Sequence, residues 1–125
     1  MEKQFILHGV VQKGHHRGKR LGFPTMNVSL NKPVSEGIYV SQTDIKGKQY
    51  NGLTFIGAAK TFGETDVNAE TYLFDFHQDV YGEMVTVTLL KKLRENKTFD
   101  SEEALITQME EDKKQAKAFF STFSE

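Results

Sequence analysis

Apolar and polar residues alternate in several short runs along this chain, and only the C-terminal stretch changes to a helical period. Phe5 to Val11 reads as a first strand, and Gly37-Ile38-Tyr39-Val40-Ser41 begins a second. Lys46-Gly47-Lys48 supplies a turn into a third strand over Gln49 to Ile56. Thr71 to Phe76 is an aromatic strand. In Met84 to Leu90, Val85, Val87 and Leu89 alternate with Thr86, Thr88 and Leu90, the period-two pattern of a half-buried strand. From Asp100 the period lengthens: Leu105, Met109, Ala116 and Phe119 recur near every 3.6 residues, with charge on the other sides. Asp100 and Glu103 have the spacing of a capping box. Antiparallel strands followed by one amphipathic helix predict a small β-barrel with the helix packed against it. Closure would also remove exposed strand edges.

The chain of 125 residues fits one domain over 1–125, and its ten Phe residues provide apolar bulk for a core. It has no cysteine, which excludes a disulfide framework and thiolate metal sites and suits a reducing, cytoplasmic setting. No apolar run approaches the roughly 20 residues that span a bilayer, and Met1-Glu2-Lys3-Gln4 lacks the features of a signal peptide. No membrane association is therefore expected. A formal net charge of −1 argues against a nucleic-acid partner. The charge is unevenly spread, however. Lys13, His15, His16, Arg17, Lys19 and Arg20 surround Gly14 and Gly18, whereas Ser101 to Asp112 is acidic. Such a basic, glycine-bearing loop is either a local anion site, for phosphate, or a solvated surface loop.

The segment Gly14-His15-His16-Arg17-Gly18-Lys19 is not a P-loop. It has one residue too few between its glycines, Arg20 stands where Ser or Thr would hold the metal, and no strand-to-helix transition follows. The four histidines lack zinc-site spacing. Downstream, Gly22 and Pro24 bracket Phe23 and restrict the backbone. Thr25 and Asn27 lie two apart, so in an extended chain their oxygens project from one face. A hydroxyl and an amide oxygen are hard, neutral ligands that suit a magnesium ion otherwise held by phosphate and water. The same residues could form an ordinary turn with local backbone hydrogen bonds.

The stretch Arg17-Gly18-Lys19-Arg20-Leu21-Gly22-Phe23-Pro24-Thr25-Met26-Asn27 resembles the signature of the riboflavin kinase family. The resemblance continues in order through Pro33 to Tyr39, Tyr50-Asn51-Gly52, Ile56-Gly57, Glu70 to Phe76, Asp79-Val80-Tyr81-Gly82, Leu93-Arg94, Phe99-Asp100-Ser101, and Gln108 with Asp112. It implies a mainly β fold, a six-stranded antiparallel Greek-key barrel with a C-terminal helix. It also implies transfer of the γ-phosphate of ATP to the 5′-hydroxyl of riboflavin, giving FMN and ADP. The nucleotide phosphates would lie against Gly14, Arg17, Gly18, Lys19, Arg20, Gly22, Pro24 and Thr25. Thr25 and Asn27 would bind Mg2+ or another divalent cation, and Glu70 would be the catalytic base. Arg94 and Phe99 would help to close over the flavin. Riboflavin and ATP are then the partners of an expected monomer.

This chemistry needs positioned phosphates, charge neutralisation and an oriented nucleophile, and one carboxylate suffices as base. By strand parity Glu70 shares a face with Tyr72, Phe74 and Phe76, which predicts a place at a barrel mouth rather than in plain solvent. Arg94 is expected on a loop between the last strand and the helix. Met109, Phe119, Phe120 and Phe123 are expected to pack the helix. The chain departs from the family pattern at Ala58-Ala59-Lys60-Thr61-Phe62, where a proline and a polar residue are missing. Met26 replaces a small alanine, and Glu95-Asn96 stands where Pro-Glu is common. The Glu95-Asn96 change is expected to alter loop rigidity, and the altered Ala59-Lys60 segment supports the alternative of a non-catalytic flavin- or nucleotide-binding regulatory module. With no nucleotidyltransferase motif before Met1, FMN formation without FAD synthesis is expected.

Overall fold

A computed structural model describes residues 5–12, 25–28, 34–57, 68–76, 78 and 80–122. Among these residues, six strands, β1 (Phe5–Gln12), β2 (Thr25–Val28), β3 (Gly37–Ile45), β4 (Lys48–Gly57), β5 (Asn68–Leu73) and β6 (Met84–Arg94), precede one helix, α1 (Glu102–Thr122). They close into an antiparallel barrel in the order β1-β2-β5-β4-β3-β6. The non-consecutive neighbours β2–β5, β3–β6 and β1–β6 give it Greek-key connectivity.

Alternation does most of the folding work. Leu7, Val11, Met26, Val28, Ile56, Ala69, Leu73, Val85, Val87 and Leu89 point inward and form the barrel core. Full burial of a Val, Leu or Ile side chain stabilises by roughly 1.5–3 kcal/mol. The opposite parity of β3, β4 and β5 is apolar too: Ile38, Val40, Leu53, Phe55, Tyr72 and Phe74 form a second cluster with Ala116, Phe119 and Phe120 of α1. One sheet therefore has two dry faces, the inner one filled by its own strands and the outer one covered by the helix. Gly52 permits the closest approach, since a Cβ there would collide with the backbone carbonyl of Tyr72 across β4 and β5.

The predicted β3–β4 turn is present. Lys46 and Gly47 both adopt positive φ (53° and 83°), the backbone of a two-residue type I′ hairpin, and Asp44 Oδ1 accepts from the Gly47 N–H at 3.1 Å. Other expectations need correction. The strand expected over Thr71 to Phe76 runs from Asn68 to Leu73 instead. Asp75 takes φ 57°, a left-handed conformation that Asp tolerates. The chain turns there, so Phe74 packs towards α1 while Phe76 packs against the barrel core and edge-on to Tyr50. The shared face expected for Tyr72, Phe74 and Phe76 thus ends at Phe74. The last strand continues four residues past Leu90, so Arg94 is a strand residue, not a loop residue. The helix is capped by Ser101, whose Oγ accepts from the Ala104 N–H at 3.1 Å, rather than by Asp100 with Glu103. Phe123 and the 58–62 departure lie outside the described residues.

Inside the barrel, Thr54 Oγ1 donates to Ser41 Oγ and shares a hydrogen bond with Thr71 Oγ1, each at 2.8 Å. Thr43 is equally buried, but its Oγ1 has no partner among the described residues. Removing an unsatisfied buried hydroxyl while keeping its shape should help. Thr43→Val is expected to raise stability by about 1 kcal/mol, read as a higher denaturant midpoint with unchanged slope.

Candidate active site

β2 is only four residues long, yet it carries two of the candidate site residues, Thr25 and Asn27. Met26 and Val28 enter the barrel core, so Thr25 and Asn27 face outward, as their spacing predicts. Pairing with β5 sets Thr25 opposite Tyr72 and Asn27 opposite Glu70. Thr25 Oγ1 donates to Glu70 Oε1 at 3.2 Å. Thr25, Asn27 and Glu70, far apart in sequence, thus share one patch of the outer wall. Glu70 is half-buried on that wall, not at a barrel mouth. Met26 turns away from the patch, so its bulk falls in the core and not between the two oxygens.

The donor set fits a hard cation carried mainly by phosphate. Thr25 and Asn27 offer neutral oxygens beside one carboxylate, and no group of three or more His, Cys, Asp or Glu suited to a metal occurs among the described residues. That pattern matches Mg2+, which keeps waters and takes phosphate oxygens. A threonine hydroxyl has one hydrogen and two lone pairs, so Thr25 can donate to Glu70 and still ligate. Glu70 Oε2 meets no hydrogen-bond partner among the described residues. The phosphate-binding candidates Gly14, Arg17, Gly18, Lys19, Arg20, Gly22 and Pro24 lie outside the described residues. The described residues flanking that segment meet at the site: Gln12 pairs with Asn27, and Thr25 opens β2.

Arg94 lies elsewhere and is already engaged. Its Nε and Nη2 each donate to a different oxygen of Asp112 at 2.8 Å, and its Nη1 donates to the Glu95 carbonyl at 3.0 Å. Gln108 Nε2 adds a third bond to Asp112, at 3.0 Å. Asp112 is the one charged side chain in α1 that is fully buried, with Arg94 mostly so. The spacing of Gln108 and Asp112 on the helix is thus explained by a fork-to-fork clamp that ties α1 to the end of β6. The Arg94 guanidinium sits 5.9 Å from the Phe99 ring centroid. Phe99 also lines an open groove of about 810 Å³ with Lys97, Ala104, Thr107, Gln108 and Lys114. Thr25, Asn27 and Glu70 do not line that groove and lie on the β2–β5 wall.

Sequence reasoning missed Asn96. Its Nδ2 donates to Glu36 Oε1 at 3.0 Å and to the Ile56 carbonyl at 3.1 Å, pinning the segment after β6 to the ends of β3 and β4. The signal in the chain is that Glu95-Asn96 stands where Pro-Glu is common. Nearby, a hydrogen bond to Glu95 pushes the Lys92 ammonium up, against the opposing effect of desolvation. Lys92 also donates to Ser35 Oγ at 3.0 Å.

Residues 1–120 match the Flavokinase family, described as riboflavin kinase. The chain belongs to the riboflavin kinase family. It is 36% identical over 94% of its length to a bifunctional riboflavin kinase/FMN adenylyltransferase of Bacillus subtilis, covering 39% of that protein. It is 38% identical over 86% of its length to an RNA-binding riboflavin kinase of the same organism, covering 47% of it. The chain spans less than half the length of these curated relatives. The crystal structure of riboflavin kinase from Trypanosoma brucei superposes with a TM-score of 0.66 at 23% identity, covering 97% of this chain and 82% of that one. That likeness concerns the fold, and it agrees with the barrel and C-terminal helix expected for a riboflavin kinase.

Removing one partner of a buried ion pair strands the other. Asp112→Ala is expected to cost about 3–5 kcal/mol, lowering Tm by roughly 10 °C or more for a domain of this size. Calorimetry checks this, and a shift of only a degree or two would show that the clamp is dispensable.

Proposed function

We propose that the chain transfers the γ-phosphate of ATP to the 5′-hydroxyl of riboflavin, forming FMN and ADP. The observation that carries this reading is the Thr25–Glu70 hydrogen bond at 3.2 Å, with Asn27 directly opposite Glu70 in register. It supports a base at Glu70 beside two neutral oxygen ligands, the combination that in-line phosphoryl transfer needs. A non-catalytic binding module would have no use for that combination, so the kinase reading is preferred.

In this reading Thr25 fixes one oxygen of Glu70, and the other accepts the proton of the 5′-hydroxyl. The 5′ oxygen of riboflavin, relieved of its proton, bonds to the γ-phosphorus as the bridge to the β-phosphate breaks, and ADP leaves with the bridging oxygen. Thr25 and Asn27 would hold a divalent cation, Mg2+ by the character of the ligands, whose charge neutralises the phosphates. The basic segment with Gly14, Arg17, Gly18, Lys19, Arg20, Gly22 and Pro24 would surround the nucleotide phosphates, for its flanking residues Gln12 and Thr25 both border the site. Arg94, clamped by Asp112, would steady the following loop so that Phe99 can lie against the flavin. Small molecules suffice as partners for this chemistry, with the chain acting as a cytoplasmic monomer.

Incubation of the purified protein with riboflavin, ATP and Mg2+, with chromatographic separation of FMN, tests the reaction. Glu70→Gln is expected to bind riboflavin normally while kcat falls by about 10²–10⁴-fold, the usual scale for a lost general base. Wild-type protein that binds flavin yet makes no FMN would overturn the kinase reading. A fully active Glu70→Gln variant would remove Glu70 from the role of base.

A further inference from the structure

Asn96 has one buried atom for which the fold provides no partner. Its two amide hydrogens are taken up by Glu36 Oε1 and the Ile56 carbonyl, but its Oδ1 is buried and accepts from no described residue. Buried acceptors are nearly always satisfied, and an exception leaves room for a donor from outside the fold. The amide is also held firmly in place. It lies over Gly57, where any Cβ would collide with Nδ2 and whose φ of 153° itself favours glycine.

The strand register relates this oxygen to the active site. Phe55 is opposite Glu70, and Gly57 is opposite Asn68. Gly57 shares the outer parity of Phe55, because a Cβ on it would meet the Phe55 ring edge as well as Asn96. Gly57 and Glu70 are therefore diagonal cross-strand neighbours, about 7–8 Å apart. Asn96 lies over the same wall as the base, one strand across. A molecule whose end hydroxyl meets Glu70 and whose next few atoms carry hydroxyls can bring a donor to it.

We propose that Asn96 Oδ1 accepts a hydrogen bond from a hydroxyl of the ribityl chain, which makes Asn96 a specificity residue for the polyol part of the substrate. This rests on the reading that Glu70 receives the 5′-hydroxyl. It assigns the amide two separate tasks. Nδ2 anchors the segment after β6 to β3 and β4, and Oδ1 reads the substrate. A carboxylate at this position would face Glu36 and lose both donated bonds, so the amide suits this chain in particular.

The test compares riboflavin with lumiflavin, which has the same ring system but a methyl group in place of the ribityl chain. Fluorescence quenching gives the affinity of each, without turnover. Asn96→Ala is expected to weaken riboflavin binding about tenfold and leave lumiflavin within twofold. In turnover it should raise KM for riboflavin, with kcat and the KM for ATP nearly unchanged. Asn96→Leu, closer in shape, serves if the alanine variant unfolds. Equal weakening of both flavins would mean that Asn96 acts only as an anchor, and unchanged riboflavin affinity would mean no contact; either overturns the proposal. Failure of the Glu70 reading is separately visible, as FMN formed at the full rate by Glu70→Gln.

Discussion

The pairing register of β2 with β5 is the constraint on which the functional geometry depends. Four residues of β2 face four of β5, and Asn27 meets Glu70 because Val28 meets Ala69. A slip by one residue would turn Glu70 into the core and put Ala69 or Thr71 on the outer wall. The inward side chains Met26, Val28, Ala69 and Leu73 prevent that slip, since each would exchange an apolar environment for solvent. Core packing and the proposed catalytic placement are thus opposite faces of the same two strands.

The helix imposes a second constraint. Its apolar side covers the outer face of β3, β4 and the end of β5, where Phe74 meets Phe120 edge to face and Lys113 and Lys117 lie over the Tyr72 and Phe74 rings. Burial of the Arg94–Asp112 pair fixes the turn from β6 into the helix. Asn96 then ties that turn to the open ends of β3 and β4. The loop that would meet the flavin is consequently bound at two points, one on the helix and one on the barrel wall.

Much of this was legible in the chain. Val85, Val87 and Leu89 announced an inward face by alternation alone, and Lys46-Gly47 announced a hairpin. The two-residue spacing of Thr25 and Asn27 gave their common direction, because parity is a local property. Parity failed at Phe76, since one left-handed residue, Asp75, inverted it. Asp112 was also opaque: a carboxylate on an acidic helix reads as solvated until its partner, 18 residues away, is known. The approach of Thr25 to Glu70 is a fact of strand order, and no local pattern encodes which strands become neighbours. The resemblance to riboflavin kinases implies roles for the two residues but not their contact.

The central claim is that Thr25 and Glu70 act as one catalytic unit. A double-mutant cycle of Thr25→Ala and Glu70→Gln on kcat for FMN formation tests it most directly. Residues in contact within one network are expected to be non-additive. The double variant should therefore be little slower than Glu70→Gln alone. Independent losses that multiply in the double variant would show that the 3.2 Å contact carries no catalytic coupling, and would contradict the account.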